Sequence, residues 1–599
     1  MKKAEGYPQP MGASRRDDKM NFAVAVPSGK TCELLLYSKG KQEPIQRFDM
    51  PEEEGIGEVR FLAVTGFRED RYEYNFCIDG RVCVDPCVRE VSRTRKFGVN
   101  PDLEAHQMRG RVPVNSYDWE GDRYPKIPLN EVVAYSLHVR GFTRHASSKV
   151  KHRGTFAGIV EKLPYLKELG VNQIHCMPVY EFDEIVGKRT NYWGYGKGYY
   201  FAPKMSYSVS GKPCTELKDM VKACHREGVE VVLEMPFSEG IRSHTAAECL
   251  RYYMLEYHID GFVVNPYVVS WDCLKNDPIL KGAKIFQKDN SFQNVMRRFL
   301  KGDEGMVGDV IWALRRNTAE DGKFNYITTH TGFTMSDLVS YDAKHNEANG
   351  ERNQDGPDYN YSWNCGTEGP TRKKNISMLR KKQIRNAFLL LLAAQGTPCI
   401  LAGDEFGNTQ KGNNNVYCQD NETAWLDWNR LKKDDSLFQY VKGLLAMRKA
   451  NTALHRPEAL FGADKNACGI PDVSYHGEDA WQAPTQVSSR QLGVLYSAAA
   501  PGENECFIAY NMHWMEHSFA LPVLPGHKEW HKVLDTADPK ERIEAEHGGE
   551  NAAVKDRSVV IGERSIVMFE GVAGPESEIK KSRHGRAAKR KTEIVKPEI

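Results

Sequence analysis

The chain has 599 residues, 40% hydrophobic and 27% charged, with a formal net charge of +2. That length exceeds a single compact core and fits about three domains. The near balance of acids and bases excludes a global pull toward nucleic acid or an anionic membrane. No run of roughly eighteen apolar residues occurs, so no transmembrane helix is expected. The apolar run at 387–394 has the length of a buried helix. The start, Met1-Lys2-Lys3-Ala4-Glu5, has no apolar core of a secretory leader. With 14 scattered cysteines, the expectation is a cytoplasmic chain with reduced thiols. Cys83 and Cys87 are close, but no second pair or histidine cluster completes a metal site, and no cofactor motif is present.

Residues 1–19 are expected to be a flexible N-terminus. From 20 to 115, short segments at 22–26, 32–37, 59–64 and 72–76 often alternate apolar and polar residues between turns. Period-two patterning predicts a small antiparallel β-sandwich. From 130 to 454 the pattern changes. Apolar segments at 132–137, 171–176, 229–233, 261–264, 324–328 and 398–402 alternate with helical stretches at 159–168, 217–227, 246–257 and 382–395. Strand–helix alternation over this length predicts an α/β domain, a (β/α)8 TIM barrel, with its sixth strand unplaced. From 455 to 571 the segments 493–496, 505–510 and 565–569 predict a second antiparallel sandwich. The polar, basic tail at 572–599 is expected to be disordered.

Several motifs are long and specific. They include Leu137-His138-Val139-Arg140-Gly141-Phe142-Thr143, Asn191-Tyr192-Trp193-Gly194-Tyr195 and the loop at 337–351. Tyr361-Ser362-Trp363-Asn364-Cys365-Gly366, Leu401-Ala402-Gly403-Asp404-Glu405-Phe406-Gly407 and Trp425-Leu426-Asp427-Trp428 follow. Over about 20–570 the chain resembles the glycogen debranching enzyme and isoamylase branch of the α-amylase superfamily of glycoside hydrolases. The resemblance implies a starch-binding-like N-terminal sandwich, a barrel of the catalytic type and a C-terminal sandwich.

A retaining glycosidase of this kind needs a carboxylate nucleophile and a carboxyl acid/base roughly 5–5.5 Å apart. The family adds a third carboxylate that binds and distorts the sugar. The family's nucleophile motif resembles Gly-Phe-Arg-Phe-Asp; here it is Gly261-Phe262-Val263-Val264-Asn265. The acid/base strand, Lys-Leu-Ile-Ala-Glu in the family, aligns with Lys284-Ile285-Phe286-Gln287-Lys288. The third acid follows a histidine in the family, whereas here the triplet is His330-Thr331-Gly332. Asn265, Lys288 and Thr331 thus occupy the catalytic positions, and no catalytic residue is intact. An amide forms no glycosyl ester, and a cation opposes a developing oxocarbenium ion. Glu234 and Glu239, in the segment that replaces a family Asp-Val-Val-Tyr-Asn-His, and Asp260 are the acids nearest the strand ends. A family acid at the Asp260 position is structural, and Glu239 has an alternative reading as a loop salt bridge.

Binding capacity has a separate basis. The family's tyrosine corresponding to Tyr195 stacks under the sugar beside the scissile bond, and Trp193 and Tyr192 adjoin it. His330 offers a donor to a sugar hydroxyl, and Asn413 and Asn414 offer amides; packing and turn roles compete for each. Asp404 and Glu405 read as structural or as ligand contacts. Three functions remain open. One is a catalytically silent relative that binds glycogen, starch or branched maltooligosaccharide, or pairs with an active debranching paralogue as a regulatory subunit. Another is an active α-1,6-glucosidase with relocated acids. The last is a scaffold without sugar binding.

Overall fold

The computed structural model describes residues 1–99, 108–113, 116–317, 321–465, 467–500, 502–538 and 553–573. The chain divides into two compact units. The first comprises Met1–Ile127, Ala134–Lys288 and Val416–Asn429; the second comprises Pro128–Val133, Asp289–Asn415 and Arg430–Ile599.

The first unit opens with two facing antiparallel sheets. In one, Lys2–Ala4, Val59–Thr65, Lys19–Ala25 and Gly12–Arg16 lie side by side in that order; the other is built around Cys32–Ser38 and Tyr72–Ile78. Every second residue points inward: Met20, Phe22 and Val24 pack against Leu34, Leu36, Tyr74 and Phe76. The expected flexible N-terminus is corrected here. Lys2–Ala4 pairs with Ala63–Thr65, and Gly12–Arg16 forms a hairpin with Lys19–Ala23. The hairpin turns on Asp17, whose φ of +50° suits a tight two-residue connection. Its outer end is polar (Ser14, Arg15, Arg16), so the alternation that reveals a strand is missing from the sequence.

The barrel strands of this unit are β1 (Ala134–Leu137), β2 (Gln173–Cys176), β3 (Glu230–Met235), β4 (Gly261–Val264) and β5 (Lys284–Phe286). All four neighbouring pairs are parallel. The register sets His175 beside Val232, and Glu234 beside Val263, so the site-facing row follows from strand alternation. The single helix expected at 159–168 is two, Phe156–Glu161 and Leu163–Leu169. Pro164 lies in the first turn of the second, where its missing N–H and fixed φ are tolerated.

In the second unit, Asn325 bridges to Pro398 in parallel fashion, next to β6 (Cys399–Leu401). Between Phe286 and Asn325 the described residues contain helices Ser291–Lys301 and Val307–Arg315 and no strand, so no described segment there supplies the unplaced sixth strand. Helix Lys374–Leu392 is apolar through its last two turns, where nearly every side chain is buried. The C-terminal domain has a six-stranded antiparallel sheet faced by the pair His517–Ala520 and Ser558–Ile561. Leu495, Phe507, Ala509 and Phe569 pack there against Phe519 and Ile561. Its last strand runs to Ala573; the rest of the basic tail lies outside the described residues.

Candidate functional site

The first unit gathers a polar cluster at the C-terminal ends of its parallel strands. Glu234, near the end of β3, is 6% exposed. Its Oε1 accepts from Lys288 Nζ at 2.7 Å and also from the Tyr195 hydroxyl. Lys288 follows β5 by two residues and lies on the same face as Lys284 and Phe286. Tyr195 reaches the cluster from the loop after β2. Burial, then the Glu234 charge, pushes its phenol well above the usual tyrosine range, so it is a fixed donor. Asn265 follows β4 on the face of Val263, the Glu234 neighbour. It is exposed, and its Oδ1 accepts from Tyr267 N at 3.0 Å, a local Asx turn.

Beneath these groups the interior row continues. His175 Nε2 lies 2.7 Å from Gln173 Oε1, while Gln173 Nε2 donates to Glu230 Oε2 at 2.7 Å. Lys284 Nζ pairs with the same Glu230 oxygen. Burial, against the opposing pull of Glu234, holds the His175 imidazole down at about 3, neutral at ordinary pH. The row therefore alternates cations and anions around a neutral histidine. Burial of these charges is tolerable because each has a partner.

The other two acids near the strand ends are placed differently. Asp260 is buried, accepting from Val231 N at 2.7 Å and lying 3.0 Å from His225 Nε2. His225 Nδ1 in turn meets Asp122 at 2.9 Å, and Asp122 also meets His258 at 2.7 Å. That network ties strands and helices together, and Asp260 is spent in it. Glu239 is exposed on the loop after β3.

The structure corrects two of the expected sugar contacts in this loop region. Tyr192 is 2% exposed, its ring 4.1 Å from that of His138. Trp193 is 5% exposed, packed on Tyr195 at 5.6 Å and on Tyr417 at 6.4 Å. Both rings are spent on packing. The motif at 137–143 builds their support. His138 Nδ1 accepts from Gly141 N at 3.0 Å, which leaves Nε2–H to donate to Tyr192 O at 2.9 Å. A Cβ at Gly141 would sit 2.2 Å from the Tyr192 hydroxyl, so only glycine fits. Arg140 grips Asp420 with two bonds of 2.7 and 2.8 Å.

In the second unit, His330 is 5% exposed and Thr331 is exposed, its N–H donating to Thr329 Oγ1 at 3.2 Å. Arg297 backs this segment, donating to Ile327 O at 2.7 Å and Asn360 O at 3.0 Å. Asp404 accepts from the Thr328 hydroxyl and, at 2.8 Å, from Met335 N. Burial outweighs those bonds and raises its carboxyl to about 7. It and Glu405, which accepts from Gly403 N at 3.0 Å, are structural.

Asn413 and Asn414 are also corrected. Both are buried. Asn414 Nδ2 donates to Pro357 O at 2.8 Å and Asn360 Oδ1 at 3.0 Å, while its Oδ1 accepts from Asn346 at 2.8 Å. Asn413 Nδ2 donates to Asn349 Oδ1 at 3.0 Å, and its Oδ1 accepts from Asn415 N at 2.9 Å. These amides pin the 346–360 loop and have little capacity left for a ligand.

Sequence reasoning named Glu234, Lys288 and Tyr195 separately and missed their union. The shared signal was register: a polar residue near the end of each of the two strands that flank β4, on one face.

Comparison with known proteins accords with this layout. The model of the α-amylase catalytic domain matches residues 140–255. A glycogen operon protein GlgX homolog of Haemophilus influenzae is 31% identical, over 77% of this chain and 87% of its own. Chloroplastic isoamylase 1 of Arabidopsis thaliana is 29% identical, over 90% and 85%. Among solved structures, a mutant pullulanase from Paenibacillus barengoltzii complexed with maltotriose superposes with a TM-score of 0.71 at 18% identity, covering 94% of this chain and 96% of that one. A pullulanase from Bacillus acidopullulyticus gives 0.69, also at 18% identity, over 94% and 75%. The fold is thus a TIM-type barrel with flanking β-domains, and among the described residues no helix is long and apolar enough to cross a membrane. The chain belongs to the isoamylase and GlgX debranching branch of the α-amylase superfamily.

Proposed function

We propose that this chain is a debranching-family protein of glycogen or starch metabolism that binds α-glucan without cleaving it. The observation that carries this reading is the ion pair between the buried Glu234 and Lys288, the residue that aligns with the family's acid/base position. A carboxyl group that must give and take protons is replaced there by a cation. The carboxylate beside it is already engaged by that cation and by the Tyr195 phenol. With an amide at Asn265 and a hydroxyl at Thr331, no charge at these positions stabilises an oxocarbenium-like transition state. Loss of a general acid alone costs about 10²–10⁴ in rate. Sugar recognition rests on Tyr195, whose ring borders the cluster. The printed description of the Paenibacillus structure, a pullulanase complexed with maltotriose, supports α-glucan as the ligand class. A silent member of this kind acts as a glucan-binding or regulatory subunit, with an active debranching paralogue as partner.

Titration calorimetry with maltoheptaose tests the binding half. Heat that is lost in Tyr195→Ala supports it; an isotherm that Tyr195→Ala leaves unchanged refutes Tyr195 as the platform. An active α-1,6-glucosidase is the second reading. It is favoured by relatives named isoamylase and by the presence of Glu234, an ionisable oxygen on the site face. Hydrolysis of pullulan, lost in Glu234→Gln, would establish it.

A further inference from the structure

We infer that the second unit carries a surface site for an α-glucan chain, with the Trp312 indole as its platform. None of its residues belongs to the strand-end cluster, although the ligand class rests on the α-glucan reading proposed above.

Trp312 lies on helix Val307–Arg315, whose buried face is Val307, Val310 and Leu314. It stands off that face and is 54% exposed. Core packing therefore does not account for an indole there. The ring forms one wall of a small, open cleft of about 100 Å³. Phe292 and Phe324 also line the cleft. Arg315 and Arg316 lie 5.2 and 5.8 Å from the indole centre, close enough for cation–π contact that fixes its orientation.

The polar lining is charged: Asp289, Lys323 and Arg316 are held in ion pairs, and the exposed Asp309 carboxylate stands beside them. Asp289 Oδ2 meets Lys323 Nζ at 2.5 Å, and its Oδ1 accepts from Ser291 N at 2.9 Å. Arg316 Nη2 meets Asp321 at 2.5 Å. An anion would face the Asp289 and Asp309 carboxylates, and a cation at Asp289 would compete with Lys323. A wholly apolar ligand would strip water from both ion pairs. A neutral ring with one C–H face and an edge of hydroxyls meets none of these costs. Its face stacks on Trp312, and its hydroxyls bond to oxygens and N–H groups already held in place. A pyranose is such a ring.

The test uses the full chain and maltoheptaose, with cellohexaose as the β-linked control. Wild type, Trp312→Ala, Trp312→Phe and Tyr195→Ala are compared by calorimetry and by the chemical shift of the indole N–H resonance. The expected result is a class of sites weakened about tenfold or more in Trp312→Ala, about threefold or less in Trp312→Phe, and unaltered in Tyr195→Ala. The shifting indole resonance disappears in both Trp312 variants. If wild type binds maltoheptaose and Trp312→Ala binds it identically, this inference falls while the Tyr195 reading stands. If Trp312→Ala abolishes binding and Tyr195→Ala does not change it, the Tyr195 reading falls instead. Binding of cellohexaose equal to that of maltoheptaose overturns the α-glucan assignment of the cleft. No heat and no shift with wild type overturn both.

Discussion

Replacing Lys288 by methionine isolates the ion pair on which the functional reading turns. Glu234 keeps 8% of its side chain exposed, whereas Lys288 keeps 30%. Removing the cation leaves a buried carboxylate beside the Tyr195 phenol. Breaking a fully buried pair costs roughly 3–5 kcal/mol, and an exposed one about 0–1. The partial exposure of Lys288 screens the pair and sets the expected loss at about 2 kcal/mol. Glu234→Gln alone should cost less, about 1 kcal/mol, because the flexible lysine swings its head into water. The double variant should then lose less than the sum of the two, with a coupling of about 1 kcal/mol. Urea unfolding followed by near-ultraviolet circular dichroism reads the cycle, provided the variants share one slope. A coupling below about 0.3 kcal/mol would refute the pair and return Glu234 to the pool of available acids.

Other consequences follow from buried polar groups. Asn414→Ala removes two donated bonds and an accepted one, and should lower stability by about 1–3 kcal/mol while leaving maltoheptaose affinity unchanged; thermal unfolding and calorimetry check both. Asp404, raised to about 7, binds its proton more tightly folded than unfolded. Its contribution therefore favours folding below the unfolded carboxyl range and is lost as pH rises toward 7. Asp404→Asn should flatten that part of the stability profile between pH 4 and pH 7 (about the window set by the two pKa values), measured by urea midpoints. His175, depressed to about 3, has the opposite sign: stability is lost as pH falls from about 6.5 toward 3. His175→Gln should reduce that acid sensitivity in the same measurements.

The alternation of apolar segments and helices made the barrel and both β-domains legible, because a parallel strand and an amphipathic helix leave different periods. The first hairpin was not legible: Ser14, Arg15 and Arg16 give its outer end no period at all. Substituted family positions could be proposed at Asn265 and Thr331 from their neighbours in the chain. What Lys288 does there could not, since its partner Glu234 lies 54 residues away in sequence and meets it only through strand register. Tyr192, Trp193, Asn413 and Asn414 were misread for one reason. Aromatic rings and amides suit a sugar and a loop scaffold equally, and burial, which separates the two roles, is a property of the folded chain. The same holds for Asp260, whose acid is indistinguishable in sequence from a catalytic one until His225 and Val231 are seen to consume it.

Release of reducing ends from glycogen and pullulan by the purified full-length chain bears most directly on the proposed loss of catalysis. With Lys288 opposing positive charge and Glu234 held in its ion pair, no release above the protein-free blank is predicted over hours at micromolar protein. Steady release that disappears in Glu234→Gln would contradict it.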